Sequence, residues 1–80
     1  MSSFREYFYM SIAKNIRRLR LERGLTQERL AELIGVNDKY FGHIERCEKA
    51  ISHNVVIKIM ELWHLQLRDL YSSVEDFEWK

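Results

Sequence analysis

The chain has 80 residues, of which 46% are hydrophobic and 31% charged, and its formal net charge is +1. This length and composition predict one domain of the ordinary globular kind. The lack of proline and the presence of only three glycines disfavour a turn-rich β architecture, and no apolar run approaches the ~20 residues that a membrane span needs.

The first predicted helix covers residues 11–23, with the sequence SIAKNIRRLRLER. Ile12, Ile16 and Leu19 recur at helical spacing, which predicts one apolar face. Gly24 follows as a typical C-terminal glycine. The preceding segment is crowded with aromatic residues, and we treat residues 1–11 as an aromatic-containing extension.

Two short helices are predicted next. Thr26 is a good N-cap for a helix from Gln27 to Ile34, and Gly35 ends that helix. Asn37 is a cap residue for a third helix that continues to about Arg46.

The second half of the chain predicts one clear helix and one short one. Ser52 is a plausible N-cap for a fourth helix, and residues 67–71 predict a fifth helix or a single turn. Residues 72–80 form a second aromatic-containing extension. The predicted fold is therefore all-α, with four to five helices.

The segment from Gln27 to Glu45, QERLAELIGVNDKYFGHIE, predicts two short helices that meet at a tight turn. Ala31 allows the two helices to approach closely, and Phe41 and Ile44 face inward. The remaining third-helix residues form a polar outer face of a size that fits the DNA major groove. These residues are Asn37, Asp38, Lys39, Tyr40, Gly42, His43 and Arg46.

Three stretches carry a family resemblance: IRRLRLERGLTQERLAELIGV, YFGHIER and IKIMELWHLQLRDLY. Together they resemble the lambda-repressor/Cro-like, or Xre-type, helix-turn-helix family from about residue 12 to residue 71. The resemblance implies a compact lambda-repressor-like domain over residues 1–80 with the helix-turn-helix at its centre. The basic residues concentrate in the same half of the chain as this motif, since residues 1–50 hold ten Lys and Arg against seven Asp and Glu.

The resemblance also implies roles for individual residues. Gln27 occupies a position that contacts phosphate in the family, and Arg46 and Lys49 lie at positions where the family contacts backbone phosphate. Arg20 and Glu45 match a largely buried ion pair between the first and third helices, which sets helix register more than it adds stability. The implied base-facing positions are Asn37, Asp38, Lys39, Tyr40 and His43.

Cys47 and His64 depart from the family pattern, which usually has Gly or Asn at the first position and Gly at the second. A left-handed backbone costs a residue with a Cβ about 1–2 kcal/mol. Either these two loops are reshaped, or the strain is tolerated. We expect Cys47 itself to be a small, semi-buried residue without a redox role.

These observations predict a DNA-binding transcriptional regulator, such as a phage-type repressor or a restriction–modification controller protein. An antitoxin-like protein-interaction module on the same fold is the alternative. An enzyme is not predicted, because no nucleophile–base pair and no phosphate-cradling glycine loop is present. No cofactor, metal, small-molecule ligand or membrane partner is predicted. The single cysteine and the early charges Arg5 and Glu6 favour a cytoplasmic protein.

A homodimer on a palindromic operator is predicted, because one helix-turn-helix reads only a short half-site. The end of the chain is too apolar for a free tail and supplies the predicted dimer surface. The aromatic cluster Phe4 to Met10 covers this surface either within one subunit or across two. The predicted interface residues are Leu65, Leu67, Leu70, Tyr71, Val74, Phe77 and Trp79.

Overall fold

A computed structural model of the chain describes residues 4–71. This part of the chain is all-helical and contains no strand, which confirms the predicted fold class. No helix in it is long and apolar enough to cross a membrane. In chain order the helices are α1 (Phe4–Glu22), α2 (Gln27–Ile34), α3 (Asp38–Glu45), α4 (His53–Trp63) and α5 (Leu67–Tyr71).

Helix α1 begins at Phe4 and not near Ser11, so the predicted start of the first helix was wrong. Phe8 and Tyr9 lie one turn before Ile12 and pack against the same apolar core. Their partial burial extends the apolar face of the helix by one turn. The N-terminal aromatic cluster therefore belongs to α1 itself.

The three predicted N-caps are confirmed. Thr26 Oγ1 accepts a hydrogen bond from the backbone N–H of Arg29 at 3.0 Å. Asn37 Oδ1 accepts from the backbone of the first turn of α3 at 2.8 and 3.2 Å. Ser52 Oγ accepts from the backbone N–H of Val55 at 3.3 Å. Each cap satisfies backbone donors that a helix N-terminus otherwise leaves unpaired.

Leu70 belongs to the core, so its assignment to the dimer surface was wrong. Its side chain is fully buried, and α5 packs against α1. The Nδ2 group of Asn15 also donates to the carbonyl oxygen of Leu70 at 2.6 Å, which fixes the two helices together. Leu65 packs partly against the core, whereas Leu67 is half exposed. The side chain of Tyr71 and residues Val74, Phe77 and Trp79 lie outside the described residues.

The backbone adopts a left-handed conformation at Cys47 and His64, the two positions where the sequence departs from the family pattern. The φ angle is 62° at Cys47 and 54° at His64, close to the 71° of Gly35, which ends α2. Leu65 N–H still donates to the carbonyl of Met60 at 3.0 Å across the His64 turn. The turns keep the geometry that glycine normally supplies, and the strain of the Cβ is tolerated.

Candidate nucleic-acid interface

The packing of α2 against α3 leaves one face of α3 outside. Ala31, Phe41 and Ile44 are buried between the helices and the core. The connection turns through Gly35, and the N–H of Val36 donates to the carbonyl of Ala31 at 2.9 Å. Residues on the opposite side of α3 therefore face solvent, on a helix anchored along its inner face.

A buried bidentate ion pair joins α1 to the end of α3. Arg20 Nε donates to Glu45 Oε2 at 2.7 Å, and Arg20 Nη2 donates to Glu45 Oε1 at 2.9 Å. Arg20 Nη1 also donates to the carbonyl of Leu25 at 2.6 Å, and Gln27 Nε2 donates to Glu45 Oε1 at 3.0 Å. The pair predicted from the resemblance is present, and its geometry holds three segments of the chain in one register.

Five of the sequence-predicted residues line one polar depression between the start of α2 and the outer face of α3. They are Gln27, Asp38, Lys39, His43 and Arg46. Lys39 and Arg46 bring positive charge to this surface, and His43 and Gln27 bring hydrogen-bonding groups. Asp38 and Glu28 line the depression as well and bring negative charge. The arrangement presents charges of both signs together with hydrogen-bonding groups, which suits contact with a polar surface.

Three other predicted residues are placed differently. The Asn37 side chain is engaged in capping α3, and Tyr40 is half-buried against the core. Lys49 lies in a separate depression beside the N-terminal half of α1, together with Arg5 and Glu48. The structure thus separates Lys49 from the five clustered residues.

Gly42 is buried, although the sequence pattern assigned it to the exposed face. The reason is that two long side chains lie across it. A Cβ at this position would lie 3.1 Å from Arg46 Nη1 and 3.4 Å from Gln27 Oε1. The lack of a side chain at Gly42 leaves room for the Arg46 and Gln27 side chains to lie over α3.

Glu48 is the residue that the sequence analysis missed. Its Oε1 atom lies 2.7 Å from His43 Nδ1 and 3.0 Å from Arg46 Nε. The hydrogen bond with His43, and then the one with Arg46, lower the pKa of the Glu48 carboxyl below its ordinary value. An acidic side chain is thus held between two of the residues expected to contact DNA.

The left-handed turn at Cys47 brings Glu48 to this place. Cys47 N–H donates to the carbonyl of Ile44 at 3.0 Å, and Glu48 N–H donates to the carbonyl of His43 at 2.8 Å. These are the two hydrogen bonds of a Schellman motif, which sets the residue after the turn beside the third residue from the helix end. Cys47 is itself exposed, so the expectation of a semi-buried side chain was wrong. The sequence shows Glu48 two positions after Arg46, but it is the left-handed turn that places Glu48 beside His43.

The family model described as "Helix-turn-helix domain" matches residues 12–70. The chain therefore belongs to the helix-turn-helix domain family, a class of DNA-binding regulators. No curated protein and no solved structure matches the chain significantly.

Proposed function

We propose that this protein is a sequence-specific transcriptional regulator of the lambda-repressor/Cro-like, or Xre-type, group, and that it acts in the cytoplasm on double-stranded DNA. One observation carries the proposal: a helix-turn-helix whose α3 is held by a buried ion pair presents a depression lined by Lys39, His43 and Arg46. A major groove admits a helix of this size and offers base edges to its polar side chains.

The proposed roles follow from these positions. Lys39 and His43 read base edges, with Asp38 and Tyr40 at the margins of the contact. Arg46 contacts phosphate, and Lys49 extends the phosphate contact from its separate depression. Because Gln27 Nε2 is bound to Glu45, the backbone N–H groups at the start of α2 are the proposed phosphate donors beside Gln27.

We also propose a homodimer on a palindromic operator. Leu67 is 50% exposed, and it lies near the end of the chain with Leu65. The apolar residues that complete the surface are Tyr71, whose side chain is outside the described part, and Val74, Phe77 and Trp79. Sedimentation at micromolar concentration tests this proposal. A single species of monomer mass, unchanged on a palindromic site, contradicts the dimer. Removal of residues 72–80 is expected to weaken self-association more than the fold.

Selection of bound sequences from random DNA, followed by a salt titration, tests the function. The expected result is one enriched site, repeated as an inverted pair, with an affinity that falls steeply as salt rises. A protein-interaction module of the antitoxin kind has little DNA affinity to lose and enriches no site. Reporter expression from the selected site then distinguishes a repressor from an activator.

A further inference from the structure

The contact between His43 and Glu48 determines which ring nitrogen of His43 carries a proton. Their Nδ1 and Oε1 atoms are 2.7 Å apart. An ionised carboxylate only accepts hydrogen bonds, so a contact this short requires a hydrogen on Nδ1. Arg46 Nη2 lies 3.5 Å from the same nitrogen, at the outer limit of a hydrogen bond, and does not compete.

The other ring nitrogen then has a defined chemical character. In a neutral imidazole, a hydrogen on Nδ1 leaves Nε2 as an acceptor. Within residues 4–71, no hydrogen bond uses Nε2, and the ring lines the depression on the outer face of α3. The atom that His43 offers to a partner at this surface is therefore a hydrogen-bond acceptor.

In the major groove, only some bases offer a donor to a hydrogen-bond acceptor such as His43 Nε2. Adenine N6 and cytosine N4 carry amino groups that donate hydrogen bonds there. Guanine N7 and O6 and thymine O4 only accept. An Nε2 acceptor therefore favours adenine or cytosine, whereas the opposite tautomer would favour an accepting base.

Glu48 is held in place by both its backbone and its side chain. The Schellman hydrogen bond from Glu48 N–H to the carbonyl of His43 sets the two residues side by side. Arg46 Nε donates to the same Oε1 atom at 3.0 Å and restrains the carboxylate from the other side. The tautomer of His43 is thus determined by a pre-positioned neighbour.

We propose that Glu48 determines base specificity by acting through His43: it accepts the Nδ1 hydrogen and so directs an Nε2 acceptor to the amino group of an adenine or cytosine in the major groove. Glu48 is a positioning residue that need not touch a base. The inference rests on the proposed DNA-binding function and adds the class of base that His43 recognises.

Binding-site selection at about pH 8, where imidazole rings are generally neutral, tests the proposal. The proteins compared are the wild type, His43→Ala, Glu48→Gln and Glu48→Ala, with Glu61→Gln on α4 as the matched control for loss of one exposed carboxylate. The wild type is expected to select adenine or cytosine at one position of each half-site, and His43→Ala to lose that preference. Glu48→Ala is expected to reduce it roughly two- to tenfold, the range of one hydrogen bond. Glu48→Gln keeps an acceptor oxygen and is expected to retain more of the preference than Glu48→Ala.

Nitrogen-15 NMR of the His43 ring gives a readout that does not depend on DNA. The wild type is expected to show the Nδ1–H tautomer, and Glu48→Ala a shift toward Nε2–H. An Nε2–H ring in the wild type overturns the inference, as does a base preference in Glu48→Ala equal to that of the control. Equal weakening of all sequences in Glu48→Ala, with base preference intact, also overturns it. A wild type without salt-dependent DNA binding overturns the proposed function as well.

Discussion

Glu45 and Glu48 are carboxylates three residues apart at the end of α3, and they lie in opposite environments. The Glu45 side chain is 1% exposed and pairs with Arg20, whereas the Glu48 side chain is 51% exposed and pairs with Arg46 and His43. The same side-chain chemistry is buried against α1 at Glu45 and solvated beyond the end of α3 at Glu48.

This difference separates structural from recognition roles. A buried pair that loses one partner leaves a charge without solvent or counter-charge, so it is costly to break. An exposed pair exchanges its partner for water or phosphate at little cost. We therefore expect changes at Glu45 to affect folding, and changes around Glu48 to affect DNA binding.

Glu45→Ala should have the largest effect. It leaves the Arg20 guanidinium buried without its carboxylate, and the free energy of unfolding should fall by about 3–5 kcal/mol. Denaturant unfolding followed by circular dichroism measures this change, and Glu45→Gln provides a milder variant if the alanine protein does not fold. Glu48→Ala is the matched exposed control and should behave like Glu61→Ala. Equal stability of the Glu45 and Glu48 variants would contradict the contrast between the two sites.

Lys39→Ala and His43→Ala should weaken binding to the selected site by about 1–3 kcal/mol each, if each side chain reads a base. The loss should fall on the selected site far more than on random DNA. Fluorescence anisotropy with both DNAs measures the ratio. Unchanged affinity and site preference in two folded variants would place the DNA surface elsewhere.

Arg46→Ala should have a different signature, because a phosphate contact carries no base information. Affinity should fall to a similar extent for all sequences, and the salt dependence should lose about one unit of slope. Arg46→Ala also removes the hydrogen bond that Arg46 donates to Glu48. If this loss disturbs the contact between Glu48 and His43, a change in base preference accompanies the uniform loss of affinity. A loss confined to the selected sequence would contradict the phosphate role.

Cys47→Gly and His64→Gly should each stabilise the fold. Glycine adopts the left-handed conformation without the cost of a Cβ, which stabilises the folded state. It also adds conformational entropy to the unfolded chain, which offsets part of this gain, so the free energy of unfolding should rise by about 0.5–1 kcal/mol. Thermal unfolding measures both variants. Gly35→Ala is the reverse control at the left-handed end of α2 and should destabilise. A loss of stability in the Gly variants would show that the side chains contribute more than the backbone strain.

The smallest effect concerns the ionisation of Glu48. Its pKa is lowered chiefly by the hydrogen bond with His43 and then by Arg46. His43→Ala should therefore raise this pKa toward the ordinary value more than Arg46→Ala does. Because the folded-state pKa is the lower one, the pair stabilises the fold at higher pH, and this stabilisation is lost as pH falls through that pKa. Carbon-13 NMR titration of the side-chain carboxyl follows the shift, and no change in either variant would contradict the pairing.

Much of the proposed DNA-facing site followed from the sequence by analogy, and the structure changed its details. Lys39, His43 and Arg46 lie together as expected, and Arg20 meets Glu45. Asn37 serves as the cap of α3, which the local pattern also indicated. Lys49 falls apart from the others, because the position of a loop residue depends on the helices on either side of it.

The sequence by itself determined α2, α3 and α4 with their N-caps, and the inward positions of Phe41 and Ile44. These features depend on residues three or four positions apart, so they can be read from one short segment at a time. Only the tertiary structure decided that Leu70 is buried against α1, that α1 begins at Phe4, and that Glu48 lies beside His43. Burial and pairing of this kind depend on how separate helices and a left-handed turn arrange side chains in space, which no single segment specifies.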